Sequence, residues 1–314
     1  EGVLLSSDLV PHLLAPLQLA DGAAAAVCSR WAVGWKATSE GRRRLTRVAF
    51  DFPQDLLGQN SLGMAVTPGG DELVVRSDST VHILAPDMSS RSFELPDGHC
   101  YIAASEQFLY ATANGGAITS LTHDGTEVAS YVDPEKAIVY PVLGPGGLLF
   151  CVLYNDDDPE QEEIIALDAQ TLQPRYRFGL SLLNDVRGMV VVGEELFVCD
   201  SGNDRLQVFS LAGEHRRSIT GEWKRPTGLY FVKDRLYLVE EEDRDEDEEG
   251  ELIYPLGGRR IFVLSLQGDT LQVYTNPDER HAFGDVLCCF DGKLLAPVQD
   301  EMLTIVGVVA LAGA

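Results

Sequence analysis

A chain of 314 residues that is 45% hydrophobic can bury a sizeable core, which argues against wholesale disorder. Its formal charge of −25 argues against nucleic acid and acidic membrane surfaces as partners, because both are bound through Lys and Arg. No apolar run approaches the ~20 residues needed to cross a bilayer.

The first 43 residues predict a small all-α segment. Leu5, Leu9, Leu13 and Leu17 recur at four-residue spacing, with Ser6 or Ser7 placed as an N-cap. Pro11 falls near the first turn, where proline is best tolerated, and Pro16 near the helix end. Asp21 is placed to cap a second helix across the alanine run that leads to Val27, Cys28 and Trp31. Helices this short leave more apolar surface than some forty residues can bury alone. The order Leu5, Asp8, Leu9, Leu13, Leu14, Leu17, Asp21 and then Val27-Cys28-Ser29-Arg30-Trp31 resembles an F-box. It departs from that family at Ser6, where proline is usual, and at Gly22, where leucine often follows the aspartate. The resemblance implies docking on the Skp-type adaptor of a cullin–RING ubiquitin ligase, with Leu5, Leu9, Leu13, Leu17, Val27 and Trp31 as adaptor-binding anchors. An ordinary helical cap on the following domain is the competing reading.

From Arg44 onward the pattern is that of short strands. The clearest unit, Val186 to Ile219, divides into VRGMVV, ELFVCD, RLQVFS and EHRRSI, with turn residues in each gap. The same template recurs before and after it. The turns ahead of each fourth strand fall at Asp87, Asp124, Asp168, Ala212 and Gln267. Their separations scatter around the ~40–45 residues of a four-stranded propeller blade once insertions are allowed. The last unit supplies three strands only, and the orphan strand Arg44 to Phe52 completes it. The expected fold is therefore mainly β: residues 44–314 form a six-bladed β-propeller whose last blade is closed by strand 44–52, preceded by the helical segment 1–43. Closure removes sheet edges open to aggregation.

The unit around Asp200 resembles an NHL repeat through Gly188, Leu196, Phe197, Val198, Asp200, Asn203, Arg205, Val208 and Phe209. Elsewhere that likeness thins to Pro226-Thr227-Gly228 and Leu236-Tyr237-Leu238. Asp200, Asn203 and Arg205 also have a structural reading: short polar side chains satisfy turn backbone groups, and Arg205 is placed to pair with an acid in its hairpin.

Two acidic insertions interrupt the template between the second and third strands of their units. Asn155 to Glu163 carries Asp156, Asp157 and Asp158; Glu240 to Glu251 carries Glu241, Asp243, Asp245 and Glu246. In a propeller that connection lies on the same rim as the links between blades, so both insertions decorate one face. They form either a recruiting surface for a basic partner or a solvated loop. Neither has the spaced oxygen ligands and bend glycine of a calcium loop.

For chemistry the sequence offers little. Of six histidines, His99 and His281 precede inner strands, but no third partner joins them as a catalytic metal would require. No Gly-x-Ser-x-Gly elbow, P-loop or His-Glu-x-x-His is present. No catalytic residue, metal or cofactor is expected. Six cysteines match neither a zinc pattern nor a disulfide framework, and Cys151 and Cys199 sit in apolar runs, which points to a reducing compartment, cytoplasm or nucleus. The candidate partner-binding face comprises His99, Arg187, Arg225 and His281 near the starts of inner strands, together with the acidic loops. The expected function is that of a substrate-recognition subunit of an SCF-type ubiquitin ligase, with an unidentified and basic protein target. A non-enzymatic propeller scaffold and a metal-dependent propeller hydrolase or lactonase are the alternatives.

Overall fold

The computed structural model describes residues 44–57, 62–77, 79–95, 99–113, 116–155, 161–241, 258–300 and 304–314. The segment 1–43, with its F-box-like anchors Leu5, Leu9, Leu13, Leu17, Val27 and Trp31, lies outside them, as do Asp156, Asp157, Asp158, Asp243, Asp245 and Glu246.

The first strand, β1 (Thr46–Val48), stands apart in sequence from the blade it joins. Blade one is Leu62–Val66, Leu73–Ser77, Thr80–Leu84 and Ser90–Glu94 (β2 to β5); blade two is His99–Ala104, Leu109–Ala113, Ala117–Leu121 and Glu127–Val132 (β6 to β9). Blade three is Ala137–Gly144, Leu148–Tyr154, Glu163–Asp168 and Pro174–Phe178 (β10 to β13). Blade four is Val186–Val192, Glu195–Asp200, Arg205–Ser210 and His215–Thr220 (β14 to β17). Blade five is Pro226–Val232, Arg235–Glu240, Arg260–Leu264 and Thr270–Thr275 (β18 to β21). The last blade holds Ala282–Phe283, Cys288–Phe290, Lys293–Gln299 and Ile305–Ala312 (β22 to β25), and β1 pairs antiparallel with β25 in the register Thr46↔Ala312 to Val48↔Ala310. The molecule is a six-bladed β-propeller, and β1, three residues long, adds the outermost strand of the last blade.

Burial explains the strand sequences. The second strand of each blade is covered on both faces, so β3, β11, β15 and β19 read as nearly continuous apolar runs. Fourth strands lie at the rim and alternate, as in the half-solvated EVASYV of β9 and TLQVYT of β21. The core is divided into six apolar clusters, one in each seam between neighbouring blades. Cys151, Cys199 and Cys288 are buried within these seams.

Turns ahead of the fourth strands seat each blade on the one before it. Gly125 and Gly213 adopt φ of +88° and +85° there, and a Cβ would lie 2.6 Å from Phe93 and 2.7 Å from Phe178 of the preceding blade. Glycine is required at both positions by backbone conformation and by contact. The closing strand is gripped from outside its own blade as well. The Leu45 N–H donates to Gln272 Oε1 at 2.9 Å, and Gln272 Nε2 donates to the Leu45 carbonyl at 3.4 Å. Gln272 lies on β21, so blade five holds the strand that completes blade six.

Candidate functional site

The six inner strands surround a central channel of about 280 Å³. The ladder of β2 in blade one runs unbroken, whereas those of the other five blades are interrupted. β6 shifts register between His99 and Ile102, β10 between Val139 and Val142, β14 between Val186 and Gly188, and β18 between Pro226 and Gly228. In blade six the inner strand is divided, and Gly284 to Leu287 separate β22 from β23. Bulges re-aim side chains out of the pleat. Here they bring Tyr101, Tyr140, Arg187 and Asp285 to the channel wall.

The two tyrosines lean together, with ring centroids 4.2 Å apart, and the Tyr101 hydroxyl donates to that of Tyr140 at 3.0 Å. Burial, then the proximity of Tyr101 and Asp285, holds the Tyr140 hydroxyl well above the ordinary tyrosine range. Arg187 Nε donates to Asp185 Oδ1 at 2.6 Å. Arg225 Nη2 donates to Asp185 Oδ2 at 2.6 Å, and its Nε donates to Glu241 Oε2 at 2.9 Å. The result is an alternating chain, Arg187–Asp185–Arg225–Glu241, with two charges of each sign. Burial opposes the charge on both arginines, but the carboxylates outweigh it and raise their pKa. Tyr140, Asp185 and Arg225 all have positive φ, at +51°, +51° and +40°. Each such non-glycine residue costs roughly 1–2 kcal/mol, and strain of this kind concentrates at functional sites.

Asp285 differs from the other charges of the channel. Its carboxylate reaches the solvent of the channel, yet protein surrounds that solvent, and this enclosure raises its pKa above the usual carboxylate range. Only its own backbone N–H supports the carboxylate, while Arg187 acts from a distance and Glu241 opposes it.

The acidic insertions fall between β11 and β12 and between β19 and β20, as the sequence indicates. Their described ends meet the same mouth. Glu241 opens the second insertion and holds Arg225. Glu162 closes the first one, is fully buried, and accepts the Val186 N–H on Oε2 at 2.6 Å while Oε1 has no partner. Burial pushes its pKa up to about 7; the Val186 bond pulls the other way and Asp185 adds to the rise.

Of the residues singled out from sequence, Arg187, Arg225 and Glu241 therefore come together, and His281 does not join them. His281 precedes β22 but hydrogen-bonds Asp278 through Nδ1 at 2.9 Å and is absent from the channel lining. His99 begins β6 at its register shift. Asp200 is fully buried; it accepts from Arg205 Nε at 2.6 Å, Asn203 Nδ2 at 2.9 Å and the Asn184 N–H at 2.8 Å. That network pins a hairpin, which is the structural role anticipated for the Asp-Asn-Arg set. Sequence reasoning missed Tyr101, Tyr140, Asp185, Glu162 and Asp285. The one available signal was an acid immediately before an inner strand, at Asp185-Val186. Among the described residues no group of three or more His, Cys, Asp or Glu side chains is placed to hold a metal ion.

A closed ring of blades around a narrow channel, with charged side chains at its mouth, defines a six-bladed β-propeller. No family model matches the chain, and no curated protein matches it in sequence. Among solved structures it is similar to BamB from Moraxella catarrhalis, with 16% identity, a TM-score of 0.51, and coverage of 85% of this chain and 99% of that one. It is also similar to the WD40 β-propeller domain of Doa1, at 11% identity and a TM-score of 0.55, covering 79% and 77% of the two chains. A luciferin-regenerating enzyme is similar at 14% identity with a TM-score of 0.59, covering 86% and 95%. At these identities the likeness establishes the fold and nothing finer.

Proposed function

We propose that this chain is the target-recognition subunit of an SCF-type ubiquitin ligase. In this reading its NHL-like propeller holds a protein target and its N-terminal segment docks on a Skp-type adaptor. The observation that carries it is the position of β1. The F-box-like sequence ends at Trp31, about fifteen residues before a strand that is hydrogen-bonded to β25 and preceded by Leu45 on Gln272, so the adaptor-binding segment is covalently joined to the rim of blade six. Such a tether serves a receptor, because ubiquitin transfer by a partner enzyme depends on holding the target at a defined distance. The strained, charged mouth of the channel is the part of the propeller best organised to bind. A cytoplasmic or nuclear setting accords with buried thiols at Cys151, Cys199 and Cys288.

Co-purification with a Skp adaptor tests the reading, with the Leu9→Asp/Trp31→Ala double variant beside the unaltered chain. A complex formed by the chain and lost in the variant is the expected result. No complex from a folded chain would overturn the ligase role and leave a propeller interaction scaffold.

A further inference from the structure

We infer that the central channel is a receptacle for one cationic side chain, an alkylammonium or guanidinium, projected from the target, with Asp285 as its counter-ion and the Tyr101–Tyr140 pair as its aromatic wall. The inference rests on reading the propeller as the target-binding half of the chain. Charge balance at the mouth is its starting point. Arg187, Asp185, Arg225 and Glu241 neutralise one another in a hydrogen-bonded chain, which leaves Asp285 as the negative charge in the channel lining without a paired cation among the described residues. An enclosed carboxylate of that kind is costly unless a cation joins it.

The remaining wall suits the same guest. Two tilted tyrosine rings with centroids 4.2 Å apart supply aromatic surface to the wall, and a π face favours a cation over an anion. Met64, Ile102 and Leu229 supply apolar surface for the methylene stem of a long basic side chain. The volume of about 280 Å³ lies just under the ~300–1,000 Å³ of typical small-molecule sites and is ample for one inserted side chain. Finally, the described ends of both acidic insertions, Glu162 and Glu241, border the mouth through Val186 and Arg225.

Saturation-transfer NMR on the full chain tests this with n-butylammonium and ethylguanidinium as probes and n-butanol as the neutral control. At least one cation binds, n-butanol does not, and Asp285→Asn weakens the cation by about tenfold or more at an unchanged melting temperature. Tyr140→Phe, which keeps the aromatic face, retains most of the binding. Equal affinity of the unaltered chain and Asp285→Asn for the cations, or failure of both cations to bind, overturns the inference. Asp285→Asn should still co-purify with the adaptor, and an unaltered chain that binds the adaptor but neither cation sinks this inference alone.

Discussion

Glu162 places an ionisable group where the fold prefers it neutral. Its value rises from an ordinary 4.5 to about 7 on folding, so the native state binds the extra proton between those limits. The associated stability is fully present below the unfolded value and is lost as pH rises through 7, by at most about 3 kcal/mol. Urea unfolding at pH 5 and pH 8 should show that loss in the unaltered chain and a flatter profile in Glu162→Gln; equal losses in both would remove Glu162 as the cause. Asp200 is a buried carboxylate that several donors share. Asp200→Ala leaves Asn203 Nδ2, the Asn184 N–H and Arg205 Nε without this acceptor, Arg205 keeping its bond to the Leu182 carbonyl, and should cost about 3 kcal/mol in the same assay. At this scale the sequence was partly legible. Arg187 and Arg225 could be picked out because they stand at strand starts, and Asp200 with Arg205 because the spacing is local. Tyr140 and Asp285 could not, since their direction is set by register breaks that arise only when neighbouring strands pair.

Among the elements, β1 has an influence beyond its length. Three residues pair with β25, and the backbone of Leu45 is held by Gln272 across the seam. A chain beginning at Arg44 should fold and keep the channel while losing adaptor binding. A chain beginning at Phe50 leaves β25 as an open edge and should aggregate on size-exclusion chromatography. Gln272→Ala, which removes both bonds to Leu45, should lower unfolding stability by about 1–2 kcal/mol. The blade strands were readable because second strands are buried on two faces and fourth strands on one, which produces distinct hydrophobic patterns. The division of the last inner strand into β22 and β23 was not readable. Gly284-Asp285 reads equally well as the opening of one inner strand running to Phe290, so the sequence does not say that Ala282–Phe283 pair with β24 separately.

For the molecule as a whole, charge and closure act together. Up to Arg47 the chain holds six basic and four acidic side chains, a net of +2, so the residues beyond it carry −27 of a total of −25. Association with a Lys/Arg-rich peptide should weaken steeply between low and physiological salt, and deletion of both acidic insertions should reduce the affinity and flatten that salt dependence. Equal affinity of the intact and insert-deleted forms would reduce the insertions to solvated loops. The pairing of Thr46 with Ala312 has a consequence for biosynthesis. On the ribosome β1 emerges first and its partner almost last, so at the ~5–20 residues per second of translation it waits on the order of tens of seconds without a mate. By the end of that interval the nascent chain displays five stackable blades and a gap, the kind of incomplete sheet that chaperones shield.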